Sequence, residues 1–141
     1  MLKVGLFTLL LNSLAFACSC VSFRACPRPG GPKTPVFLGT VLAVTDRPYT
    51  GKFEFLSNRK VRIQVDESFG GLSPETKEVD VLTGLGGGDC GVPFKAGEQY
   101  LVDAYVGNDG LVHAGICSST RRVDAAGECL RILRQRRAGS K

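Results

Sequence analysis

Val61-Arg62-Ile63-Gln64-Val65-Asp66 alternates an apolar with a polar side chain at every step. Successive side chains of an extended strand point to opposite faces, so this stretch reads as a strand with one face in a core and one in solvent. Upstream, Val36 to Val44 reads as a strand that is apolar on both faces apart from Thr40, with Gly39 as a bulge or bend. Downstream, Val79, Val81 and Thr83 make a shorter strand. Tyr100 to Val106 and Leu111 to Ile116 flank Gly107-Asn108-Asp109-Gly110, whose residues suit a hairpin turn. After these roughly five strands, Asp124 is the expected N-cap of a helix running to about Arg137, although Gly127 weakens its first turn. Cys129, Ile132, Leu133 and Arg136 fall at helical spacing and give that helix a narrow apolar stripe. Short antiparallel strands with glycine-rich connections predict a mostly β domain, either a small barrel or a sandwich; the pattern alone does not choose.

The N-terminal residues predict export. Lys3 precedes an apolar run from Val4 to Leu11, and Ala15-Phe16-Ala17 supplies a small-x-small end. These are the three parts of a secretory signal peptide, and the run is too short to span a bilayer. Residues 1–17 are therefore expected to be the signal peptide and residues 18–141 one domain, secreted, or periplasmic in a bacterium, with no transmembrane segment. Acylation of Cys18 is disfavoured, because Ala15, Phe16 and Ala17 make a poor lipobox and lipidation would leave an odd cysteine.

The chain has six cysteines, Cys18, Cys20, Cys26, Cys90, Cys117 and Cys129, all beyond that cleavage point. An even number in an exported chain predicts a disulfide framework, and six cysteines admit 15 pairings. A zinc site on Cys18, Cys20 and Cys26 is the weaker reading, since structural zinc favours C-x₂₋₄-C pairs in a reducing compartment. Between Cys26 and Pro35 the run Cys-Pro-Arg-Pro-Gly-Gly-Pro-Lys-Thr-Pro excludes helix and central strand and predicts an exposed loop.

Candidate catalytic groups are sparse. The single histidine, His113, falls on an expected strand, and nothing in the sequence directs a serine toward it. Gly84-Leu85-Gly86-Gly87-Gly88-Asp89 lacks the Gly-Lys-Ser/Thr ending of a phosphate loop and reads as a flexible connection delivering Cys90. The expectation is a non-enzyme with no cofactor and no metal of its own. The formal charge is +5, of which Lys3 leaves with the signal peptide. Arg121, Arg122, Arg131, Arg134, Arg136, Arg137 and Lys141 concentrate the positive charge near the C-terminus. Such a cluster suits weak contact with an anionic polysaccharide, but reads first as the solvated face of a helix; nucleic acid is not an expected partner.

Three stretches together carry a resemblance: the start Cys18-Ser19-Cys20-Val21, the segment Cys90-Gly91-Val92-Pro93-Phe94-Lys95-Ala96-Gly97-Glu98-Gln99-Tyr100-Leu101-Val102, and Asp109-Gly110-Leu111-Val112-His113 leading to Cys117. They resemble the N-terminal, netrin-like domain of the tissue inhibitors of metalloproteinases over most of residues 18–120. A C-x-C pair placed directly at a signal cleavage site is a rather specific feature. The resemblance implies a five-stranded OB-fold-like barrel with a C-terminal α-helix and three disulfides, Cys18–Cys90, Cys20–Cys117 and Cys26–Cys129. It also implies a function: inhibition of a zinc metalloprotease by the free amine and carbonyl oxygen of Cys18. Ser19 would enter the protease's specificity pocket, Cys20 and Val21 would extend the contact, and Asp89, Cys90 and Gly91 would lie beside it.

The sequence departs from the family in four ways. The separation of Cys117 from Cys129 is shorter, and the Pro/Gly-rich loop replaces a short helix near the third cysteine. The glycine run before Cys90 replaces side chains of the inhibitory ridge, and the family's second disulfide-bonded domain has no counterpart. These departures keep a second reading open, an extracellular interaction module of the same fold without inhibitory activity.

Overall fold

The structure, a computed structural model, describes residues 18–20, 24–46, 59–86 and 90–140. The expected signal peptide lies outside the described residues. Two long strands, β1 (Val36–Asp46) and β2 (Arg59–Gly70), form an antiparallel pair at the centre of one sheet. β3 (Glu78–Thr83) adds to β2, and β4 (Gln99–Asp103) adds to β1. Three two-residue strands complete the sheet: β5 (Tyr105–Val106), β6 (Val112–His113) and β7 (Arg121–Arg122). Its order is β5-β6-β3-β2-β1-β4-β7, antiparallel throughout except for the β3–β6 pair. The sheet curls into a half-barrel.

The curl has a local cause. The β1–β2 register shifts at three places, one of them between Leu38 and Gly39. Extra residues in one strand of a pair bend it and increase its twist. Gly39 is required there, since a Cβ would lie 2.6 Å from both the Gln64 carbonyl oxygen and Ile63 Cγ2.

Curling makes two cores, which explains why β1 is apolar on both faces. Phe37, Val41, Val61, Ile63, Val81, Tyr100 and Val102 fill the concave side. Val36, Leu38 and Leu101 face the other way and pack against α1 (Gly127–Gly139) through Ala126, Cys129, Leu130 and Leu133. The apolar stripe is therefore Ala126-Cys129-Leu130-Leu133. Ile132 is only half-buried and Arg136 is exposed, so both lie at the margin of the expected stripe.

The strand count of about five is corrected to seven among the described residues. The expected strand Tyr100 to Val106 breaks at buried Ala104, where the chain stops pairing with β1 and turns to pair with β6. Leu111 to Ile116 contributes only Val112–His113, and Arg121–Arg122 is an unforeseen strand. Asp124 does not cap the helix. It sits in a 3-10 turn, Val123–Ala125, and α1 starts after Ala126 with no side-chain cap. β7 holds the chain against β4 up to Arg122 while Ala126 must already be buried, so a tight turn is what fits; the Asp124 carboxylate pairs with Arg122 at 3.3 Å instead.

The 26–35 stretch has no helix or strand, as its prolines require, but it is not wholly exposed: Pro27 and Pro35 are fully buried. Three disulfides, Cys18–Cys90, Cys20–Cys117 and Cys26–Cys129, use all six cysteines. Such a framework is typical of extracellular proteins. Among the described residues no helix is long and apolar enough to cross a membrane.

α1 is also clamped electrostatically. Glu67 on β2 accepts Arg134 Nη2 at 2.8 Å and faces Arg137 Nη2 at 2.7 Å. The Arg134 hydrogen bond, against the opposing effect of partial burial, holds the Glu67 carboxyl below its ordinary value of 4.5, with both guanidinium charges adding to it.

Candidate functional site

The first described residues are held by two of the disulfides. Cys18 and Cys90 have Cα atoms 5.6 Å apart, and Cys20 and Cys117 are 5.3 Å apart. The two anchor points are themselves adjacent, because the Ile116 amide donates to the Cys90 carbonyl at 2.9 Å. Between the two tethered cysteines, Ser19 stands exposed.

The sequence builds this platform in three layers. β6 pairs with β3, and the Ala114 amide continues that contact to the Leu82 carbonyl at 2.9 Å, which delivers residues 115–117 beside the end of β3. Beyond β3 the chain makes a loop whose exit is fixed by buried Thr83, whose hydroxyl oxygen accepts the Val92 amide at 2.8 Å. Gly91 then passes so close to Gly84 that a Cβ would lie 2.2 Å from the Gly84 carbonyl oxygen. Cys90 has φ of 62°, the one positive φ on a non-glycine among the described residues. A residue with a Cβ resists that region, and such positions persist only where the surroundings fix them. Here the disulfide to Cys18, the bond to Ile116 and the Gly84–Gly91 approach do so.

The adjoining 118–120 stretch is pinned as well. The Ser119 amide donates to Asp103 Oδ2 at 2.9 Å, and the Asp103 amide donates to Thr120 Oγ1 at 2.9 Å. Buried Ser119 donates its hydroxyl to the Arg24 carbonyl at 2.9 Å, tying the N-terminal segment down again beyond residue 20.

Of the residues expected at the site, Cys18, Ser19, Cys20, Cys90 and Gly91 come together. Val21 and Asp89 lie outside the described residues. Two residues at the site escaped the sequence reading: Leu85 and Ile116, exposed at 45% and 42%. Their flanking cysteines and glycines were the available signal, because an apolar residue in such a loop has little local structural role. His113, the one candidate general base, is half-buried, stacks on Tyr105 and places Nε2 2.9 Å from Asp109 Oδ2. The Leu111 amide is the first cause that holds the exposed Asp109 carboxyl below the ordinary range; desolvation opposes it and His113 adds to it. Among the described residues no three His, Cys, Asp or Glu side chains form a metal-binding group.

A scan of protein-family models finds none that matches this chain, and a search of curated proteins also finds no match.

Proposed function

We propose that the chain is a secreted inhibitor of zinc metalloproteases, built on a netrin-like, OB-type barrel and processed immediately before Cys18. The observation that carries this reading is the pair of disulfides on either side of exposed Ser19, anchored to neighbouring points at Cys90 and Cys117. A catalytic zinc keeps an open position for water. The α-amine of a processed Cys18, with a pKa of about 7.7–8.0, is partly neutral near pH 7 and can coordinate there together with the Cys18 carbonyl oxygen. The disulfides hold the segment in one conformation before it meets a protease, which reduces the ordering cost of binding. Ser19 then faces the specificity pocket, while Leu85 and Ile116 offer apolar contact at the rim. The chain supplies no chemistry of its own in this mechanism.

The glycines before Cys90 favour a second reading, an interaction module that does not inhibit. Gly84, before Cys90, meets Gly91, after it, backbone to backbone, and neither adds a side chain to the platform. One experiment separates the two. Secreted protein is purified, its N-terminus identified by mass spectrometry, and its inhibition of a panel of zinc proteases measured. A Cys18 terminus with inhibition supports the first reading; a Cys18 terminus with none supports the second, and an uncleaved or acylated terminus removes the first.

A further inference from the structure

Two clefts of about 480 and 420 Å³ adjoin where the 24–30 segment crosses the C-terminal half of α1, with Arg28 and Arg136 in the walls of both. Arg24 lines one of them, and among the described residues neither wall contains Asp or Glu. Most arginines of the C-terminal cluster are ion-paired: Arg131 with Glu128, Arg122 with Glu98 and Asp124, and Arg134 and Arg137 with the one carboxylate of Glu67, which they share. Arg24, Arg28 and Arg136 make no ion pair among the described residues.

These three come from chain segments more than a hundred residues apart, and the Cys26–Cys129 disulfide joins those segments. Cys26 lies between Arg24 and Arg28, Pro27 is buried, and the Arg24 carbonyl is held by Ser119. Cys129 lies two helical turns before Arg136 on α1. The backbone that carries the guanidinium groups is thus fixed before any ligand arrives, and fixed donors lose less freedom on binding.

We infer that this groove binds a sulfated polysaccharide, with Arg24, Arg28 and Arg136 engaging successive anionic groups. Guanidinium groups bind planar and tetrahedral oxyanions through paired hydrogen bonds. Their spread over two adjoining clefts matches a chain with repeated anions better than one small ion. Single-stranded nucleic acid fits poorly, because its bases are held by stacking on aromatic rings. Phe69, the one aromatic residue among the described residues of the groove, is covered by the Arg137 guanidinium 5.6 Å from its centroid. A lipid surface also fits poorly, since the exposed large apolar residues Leu42, Leu85, Tyr105, Leu111 and Ile116 line neither cleft. The disulfide framework places the chain with extracellular proteins, where sulfated polysaccharides occur.

The test needs no protease. Binding of the full secreted protein to heparin is measured at about 0.1 M salt, where the screening length is about 10 Å. Arg24→Gln, Arg28→Gln and Arg136→Gln are each expected to weaken binding about fivefold, and the triple variant at least about fiftyfold. Arg131→Gln removes the same charge from a paired site and is expected to change binding less than about twofold. If the triple variant fails to form its three disulfides, the single variants decide the matter by the same comparison with Arg131→Gln. The inference is overturned by absence of heparin binding, by an equal loss in Arg131→Gln, or by equal affinity for desulfated heparin, duplex DNA or anionic phospholipid vesicles.

Discussion

The amide of Ile116 donates to the carbonyl of Cys90 across 2.9 Å, joining two loops that sequence separates by 26 positions. Cys90 carries the bond to Cys18, and Cys117, the next residue after Ile116, carries the bond to Cys20. Through this one hydrogen bond the two tethers of the N-terminal segment become a single support, so a disturbance at either loop reaches both cysteines.

An alanine added before Cys18, or acetylation of its amine, is expected to abolish inhibition of zinc proteases without unfolding the protein. An amide nitrogen is a poor zinc ligand, and an added residue occupies the space where the metal must sit. Substitution of Ser19 is expected to change which proteases are bound, because that side chain would meet a pocket and not the metal. Inhibition constants for native, extended and Ser19-substituted protein check this, and equal inhibition by native and extended forms excludes coordination by the amine.

Cys20→Ser and Cys117→Ser are each expected to cost about 2–5 kcal/mol of stability. Because the two cysteines form one bond, the double variant is expected to cost little more than either single one. Urea unfolding of the three variants tests this; additive losses would show that the two residues act independently.

Glu67→Gln is expected to destabilise the protein by about 1–2 kcal/mol at pH 7, a value discounted because its arginine partners are half-exposed. The Glu67 carboxyl is held below its ordinary 4.5, so its contribution is present above that pH and is lost as pH falls through the lower folded value. Wild type and variant should therefore converge in acid. Denaturant unfolding at neutral and acidic pH reads the difference, and a gap independent of pH would rule out the ion pair as its source.

Thr83→Val keeps the shape of a buried side chain but removes the acceptor of the Val92 amide. An unpaired buried amide costs about 1–3 kcal/mol. Faster hydrogen exchange at Val92, together with a lowered unfolding midpoint, is the expected signature; unchanged exchange would mean the amide finds another partner.

Parts of this architecture are local and were readable. The Val61-Ile63-Val65 alternation belongs to β2, and the apolar Val36 to Val44 run identifies β1, though only the helix behind the sheet explains its second apolar face. The hairpin residues Gly107 to Gly110 do connect β5 to β6. What could not be read depends on distant partners. The break at Ala104 follows from a change of neighbour, and the 3-10 turn at Asp124 follows from β7 pairing with Tyr100 and Leu101. At the site, the cysteines and Ser19 announce themselves by spacing, whereas the left-handed Cys90 and the exposed Ile116 depend on the parallel β3–β6 contact. Arg24, Arg28 and Arg136 meet only because a disulfide spans nearly the whole domain.

That span has a consequence for biosynthesis. The three bonds join residues 72, 97 and 103 positions apart, each linking an early cysteine to a late one. A polypeptide emerging from the ribosome presents Cys18, Cys20 and Cys26 first, as thiols whose proper partners do not yet exist. They must stay reduced, or be unpaired again by thiol exchange, until residue 90 and then residue 129 have appeared. The segment made earliest is consequently fixed only after the distant residues that anchor it have been made. Maturation of this protein should depend on a disulfide isomerase more than that of a chain whose cysteines pair with near neighbours.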